Sequence, residues 1–247
     1  MPDVLGHRAK FGVLIPSTNT IVEPDFASMA PPGVTLHTGR IFIENQAMAD
    51  DAGFEAIMVQ IRASIARAVA DVMSCEPDYL VMGMSSETFW GGKKGNEEFQ
   101  RRIEELSGLR IATGANACAR ALGLLGARRL GVVTPYQPIG DTQVRRFLEE
   151  CGYEVAALVG LRCTTAVGIA HVDEATLRRA IVDVNRSDVD TIVQVGTNLS
   201  MLRLADEAER WLGKPVIAIN AATFWYALRE NGIMDRRGGF GRLLREY

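Results

Sequence analysis

Three histidines (His7, His37, His171) and four cysteines (Cys75, Cys118, Cys151, Cys163) are all that this chain of 247 residues holds of the soft metal ligands. No two cysteines form a C-x-x-C pair, and the histidines are far apart, so neither a metal site nor a disulfide framework is expected. A reduced, cytoplasmic protein follows. Long apolar runs are also missing: none approaches the roughly 20 residues of a membrane span. The opening stretch, Met1 to Arg8, lacks the apolar region of a secretory signal. Nor is there an excess of positive charge. Lys and Arg number 27 against 30 Asp and Glu, a net charge of −3, which argues against nucleic acid as a partner. The one basic cluster, Arg236, Arg237, Arg242 and Arg245, reads as a solvated tail or a homo-oligomer contact.

What remains is the balance of a globular protein, 47% hydrophobic and 23% charged, with enough length for one large core or two smaller ones. Strand-like apolar runs fall at 10–16, 34–38, 79–84, 110–113, 129–134, 154–159, 190–196 and 215–219. Between them lie helical periodicities. The clearest covers 51–74, where Phe54, Ile57, Met58, Ile61, Ile65, Val69 and Val72 share one face; others cover 141–151 and 173–185. Strands without period-two alternation, separated by helices, predict mainly parallel sheets buried on both faces.

The pattern repeats. Lys10-Phe-Gly-Val-Leu-Ile-Pro16 is similar to Arg129-Leu-Gly-Val-Val-Thr-Pro135. Tyr79-Leu-Val-Met-Gly-Met-Ser85 is similar to Thr191-Ile-Val-Gln-Val-Gly-Thr197. Ile111-Ala-Thr-Gly-Ala115 is similar to Ile217-Ala-Ile-Asn-Ala221. Two α/β lobes facing across a cleft are expected, the first from 1–114 with 218–247 and the second from 115–217. In such sheets ligands bind beyond the carboxyl ends of the strands. Four strand ends carry polar residues there: Ser17-Thr-Asn19, Ser85-Ser-Glu87, Tyr136 and Thr197-Asn198. Taken singly, Ser, Thr and Asn after a strand are ordinary helix caps. Four together, in matching places of a repeat, predict a site for a small anion.

Ile15-Pro-Ser-Thr-Asn-Thr-Ile-Val-Glu-Pro24 resembles the opening signature of the maleate cis–trans isomerase and arylmalonate decarboxylase group, within the Asp/Glu racemase superfamily. Val81-Met-Gly-Met-Ser-Ser-Glu-Thr-Phe-Trp-Gly-Gly92, Val132-Val-Thr-Pro-Tyr136 and Val195-Gly-Thr-Asn198 fall where that group has its other motifs. The resemblance spans almost the whole chain. It implies two pseudo-symmetric lobes, each a mainly parallel four-stranded sheet flanked by helices, and a cofactor-free site between them that takes a small carboxylate or dicarboxylate.

The departure from the group concerns sulfur. Its racemases and isomerases carry a cysteine on each lobe; the decarboxylase keeps the second. By motif the two positions are Met84 and Gly196 here, so two-base racemisation and thiolate addition have no reagent at these places. The cysteines that are present read as packing residues, with Cys163 the one whose loop could border the cleft. What the resemblance carries over is an oxyanion pocket: Ser85, Ser86, Tyr136 and the backbone N–H of Thr197 as donors, Asn19 gripping a carboxylate with Ser17 beside it, Asn198 assisting. For proton transfer the candidates are Glu87, raised toward working pH by burial between hydroxyls and the Phe89-Trp90 pair, and Tyr136. Water activated by Glu87 would support hydrolysis of a cyclic amide or ester, or hydration, beside lyase or isomerase chemistry. The competing class is a carboxylate sensor without turnover.

Overall fold

The computed structural model describes residues 3–247 and consists of two four-stranded parallel sheets flanked by helices. The first sheet holds β1 (Ala9–Pro16), β2 (Val34–Ile41), β3 (Tyr79–Met82) and β4 (Ile111–Ala112), in the order β2-β1-β3-β4. The second holds β5 (Arg129–Thr134), β6 (Glu154–Gly160), β7 (Thr191–Gln194) and β8 (Val216–Ala218), in the order β6-β5-β7-β8. The repeat read from the sequence is thus a repeat of whole sheets. Each sheet reverses its winding between its two central strands, β1 and β3 in one, β5 and β7 in the other. A crevice opens at such a switch point, outside the carboxyl ends of the strands.

Helices α1 (Val22–Met29), α2 (Asp51–Met73), α3 (Ser86–Phe89), α4 (Gly92–Ser107) and α5 (Gly114–Leu125) are followed, in the second half, by α6 (Pro138–Glu150), α7 (Glu174–Val184), α8 (Leu202–Leu212), α9 (Ile219–Glu230) and α10 (Arg242–Glu246). Local chemistry sets their starts. The Asp50 side chain accepts the Gly53 N–H at the head of α2, Thr113 does the same for Asn116 in α5, and Asp173 for Thr176 in α7. Helix α6 begins at Pro138, three residues before the periodicity does, because proline fits the first helical position, where no N–H is needed. All seven apolar residues expected on one face of α2 are buried.

The expected strands at 79–84 and 190–196 end two residues early, at Met82 and Gln194. The residues released there, Gly83 to Ser85 and Val195 to Asn198, form the turns that face the crevice. The C-terminal arginines also differ from expectation. Arg242 and Arg245 are not a solvated run. They pair with Glu209 and Asp206, two buried carboxylates of α8, and so fasten the last helix to the second half. Arg237 donates to the Ser28 carbonyl. Among the described residues no helix is long and apolar enough to cross a membrane.

Candidate functional site

The strand-end turns of both sheets meet. Asn19 Nδ2 donates to Thr197 Oγ1 at 3.1 Å, the Ser85 and Tyr136 hydroxyls lie 2.8 Å apart, and the Gly196 N–H donates to Ser85 Oγ at 3.1 Å. Thr197 Oγ1 donates to the Gly83 carbonyl. Asn19, Ser85, Tyr136 and Thr197 therefore form one bonded cluster, two residues from each half, on one wall of a cavity of about 60 Å³. At roughly 10–15 Å³ per water-sized occupant, that is room for about four to six waters, the scale of a small carboxylate. Ser86, Asn198, Met84 and Gly196 line it too.

How much hydrogen-bonding capacity each side chain keeps decides what it can offer a ligand. Asn19 Oδ1 is taken by the Ile21 and Val22 N–H groups, which leaves one amide hydrogen. Asn198 is consumed: its Oδ1 accepts the Thr20 N–H and its Nδ2 donates to the Ala166 carbonyl. By contrast, the backbone N–H groups of Thr197 and Asn198 find no acceptor among the described residues, and the Ser86 hydroxyl is likewise uncommitted. Tyr136 is buried, its ring edge-on to Phe54 at 5.3 Å, and desolvation pushes its hydroxyl well above the ordinary tyrosine range. It stays a proton donor at any physiological pH.

Most of the remaining lining is apolar: Ile43, Met48, Phe54, Ile57, Met58, Ile61, Ala166 and Ile169. No lysine or arginine lines the cavity. The α2 members of this lining carried a sequence signal, the periodic face, but it is the same signal that a plain core face gives. Met48 and Ala166 come from segments without periodicity, 42–50 after β2 and 161–173 after β6. These two segments join across the mouth through an Ala47–Thr165 antiparallel bridge, a Met48 N–H bond to the Thr164 carbonyl at 2.8 Å, and Gln137 Nε2 donating to the carbonyls of Met48 and Cys163.

Two expected site residues lie elsewhere. The Ser17 hydroxyl exchanges hydrogen bonds with the Ile43 peptide, at 3.1 Å each way, and fixes the segment after β2 instead of facing the cavity. Glu87 lies one residue further along α3 than Ser86, which on a helix turns it about 100° away. Its carboxylate pairs with Arg62 at 2.8 Å and lines a neighbouring depression with Trp90 and Arg102. Burial raises its pKa, against the pull of Arg62. The burial foreseen is there, but on the wrong side of the helix for water in the cleft. Cys163 is buried and does not line the cavity, and burial pushes its thiol up to about 11. Among the described residues no group of three or more His, Cys, Asp or Glu side chains could hold a metal ion.

Comparison with known proteins finds relatives along nearly the whole chain. A family model described as arylmalonate decarboxylase matches residues 11–244. The arylmalonate decarboxylase of Bordetella bronchiseptica is 29% identical over 238 residues, covering 95% of this chain and 96% of that protein. A Pseudomonas putida maleate isomerase is 23% identical over 246 residues, with 95% and 96% covered. Among solved structures, the maleate isomerase Iso of Pseudomonas putida S16 superimposes with a TM-score of 0.86 at 22% identity, covering 96% of this chain and 98% of that one. An arylmalonate decarboxylase structure gives 0.76 at 24% identity, with 95% and 98% covered.

Proposed function

The chain belongs to the arylmalonate decarboxylase family, and from that premise we propose that its cleft binds a small substituted malonate and releases one carboxylate as CO₂, without a cofactor and without a thiol. The observation that carries this reading is the make-up of the cavity: uncommitted donors line it beside a larger set of apolar side chains, and no cation lines it. One carboxylate is held by Ser86, the N–H groups of Thr197 and Asn198, the remaining Asn19 amide hydrogen and the Ser85–Tyr136 hydroxyl pair. The other carboxylate would sit against the apolar side chains, where an anion is poorly solvated. Cleavage of its carbon–carbon bond removes that charge as neutral CO₂. The electron pair passes into the retained carboxylate, forming an enediolate whose second negative charge falls on the donors. Losing one such donor typically costs roughly 3–4 kcal/mol of barrier. The Tyr136 hydroxyl, protonated even at alkaline pH, supplies the proton for the carbon and recovers it from water.

This reading replaces water activation by Glu87, which faces another depression. Isomerisation by thiolate addition is disfavoured because Met84 and Gly196 offer no thiol. One observation favours the second reading, a carboxylate sensor: among the described residues Tyr136 is the only titratable side chain on the cavity wall. Calorimetry and CO₂ release with methylmalonate separate the two. The enzyme is expected to bind it and to yield propionate, whereas a sensor binds and releases nothing. Tyr136→Phe should weaken methylmalonate binding by about 1–3 kcal/mol, the usual loss for a hydrogen bond to a charged group. Unchanged affinity in that variant would remove Tyr136 from the site.

A further inference from the structure

We propose that Asp141 and Arg162 act as a positioning clamp on the main chain of Tyr136, fixing where its hydroxyl meets a bound carboxylate. The proposal rests on the oxyanion reading given above. Tyr136 lies beyond the end of β5, where no sheet partner holds its peptide groups, yet both are taken. Its N–H donates to Thr134 Oγ1 at 3.1 Å, and its carbonyl accepts from Arg162 Nη1. Thr134 Oγ1 in turn donates to Asp141 Oδ1, while Asp141 Oδ2 accepts from Arg162 Nη1 at 2.6 Å. The bonds close a ring running from the Tyr136 N–H through Thr134, Asp141 and Arg162 back to the Tyr136 carbonyl. Thr134 uses its hydroxyl both ways, which requires an acceptor at Asp141.

Three local costs converge on this ring. Arg162 adopts φ +55°, a left-handed conformation that side chains other than glycine rarely take. Asp141 is only 6% exposed, an unusual place for a carboxylate. Gly160 is bare where it has to be, since a Cβ there would stand 2.1 Å from Arg162 Nη1 and 2.3 Å from Asp141 Oδ2. A simpler account of Asp141 exists, an acid in the first turn of α6 favoured by the helix dipole. That account calls for neither the left-handed arginine nor the missing Cβ. Stability alone does not explain an arrangement that spends strain and buried charge on one peptide unit; accurate placement of the one titratable donor in the cavity does.

Arg162→Gly tests the clamp, because glycine adopts the left-handed conformation freely and the variant removes the arginine side chain without straining the backbone. Methylmalonate binding is measured by calorimetry, and melting temperature in parallel, in the parent and in Tyr136→Phe. In the parent, Arg162→Gly should lower the melting temperature, because the buried Asp141 carboxylate loses its partner, and should weaken binding about three- to tenfold. In Tyr136→Phe, with the hydroxyl gone, it should change affinity less than about twofold, since a positioning residue has nothing left to position. Asp141→Asn should give the same two-background pattern and serves if Arg162→Gly fails to fold. Equal losses in both backgrounds would mean a general structural role and overturn the clamp. Intact affinity in Arg162→Gly, with Tyr136→Phe still weakened, would overturn the clamp and leave the oxyanion reading standing. No binding by the parent, or no effect of Tyr136→Phe, would remove both.

Discussion

At position 196 the backbone turns through φ +110°, and a Cβ built there would stand 2.4 Å from Pro135 Cδ. If the motif resemblance puts a thiol at this position in relatives, more separates them from Gly196 than one side chain exchanged for hydrogen. The turn has taken a form that only glycine fits, and in doing so it aims the Gly196 N–H at Ser85, while the next two N–H groups find no acceptor among the described residues. Gly196→Cys is expected to lower stability in urea by about 1–3 kcal/mol, the usual cost of a strained backbone residue, without creating a racemase. The native cysteines lead to a second expectation. Cys118 is fully buried with its thiol pushed up to about 12, and burial pushes Cys163 up to about 11. Neither supplies thiolate near neutrality. Alkylation of the half-buried Cys75 and Cys151 in the native state should leave methylmalonate affinity unchanged within about twofold. Loss of binding in proportion to Cys163 labelling would restore a thiol to the mechanism.

At the scale of elements, the sequence was most legible where one requirement acted alone. The eight strands lie where apolar runs fall, and α2 spans all but one residue of its periodicity, because burial alone sets both, on two faces of a strand and on one face of the helix. The four strand ends were also legible, since small polar residues after a buried strand have few other uses. Legibility failed where two requirements produce the same pattern. The α2 face bearing Ile57, Met58 and Ile61 reads as core, yet it walls the cavity; periodicity cannot separate a face packed on side chains from one packed on a ligand. Glu87 failed through its phase on a one-turn helix, too short to show any period. Ser17 failed because its hydroxyl had a closer partner in the Ile43 peptide, 26 residues away in sequence. The C-terminal arginines looked like surface charge because the carboxylates that fix them, Asp206 and Glu209, lie over 30 residues upstream. Replacing Arg242 and Arg245 together by alanine leaves two buried carboxylates short of partners. Roughly 3–5 kcal/mol of stability should be lost, measurable by urea unfolding. A change below about 1 kcal/mol would mean that the expected solvated tail was the better description.

For the whole molecule, the chief consequence is that neither half owns the site. Asn19, Ser85 and Ser86 come from the first half and Tyr136, Thr197 and Asn198 from the second, while the segments 42–50 and 161–173 close the mouth jointly. A ligand bound there ties the halves together, so binding should raise the melting temperature of the entire protein as a single transition. Saturating methylmalonate should also slow amide exchange at Met48 and Val167, whose N–H groups bond across the mouth to the Thr164 carbonyl and Asn45 Oδ1. Slowing confined to residues of one half would argue that ligand occupies only one set of strand ends.

The two halves are alike in backbone and unlike in one respect that bears on stereochemistry. Tyr136 stands at the end of β5, and the corresponding turn after β1 carries Asn19 and no aromatic ring. A malonate has two chemically identical carboxylates, and a site with true twofold symmetry could not tell them apart. This one places a phenol on one side and an amide on the other, with apolar side chains lining most of the rest. A prochiral malonate thereby has a defined left and right once bound. In an enantiopure methylmalonate labelled in one of its two carboxylates, the isotope should leave wholly as CO₂ or stay wholly in the product, never be divided between them.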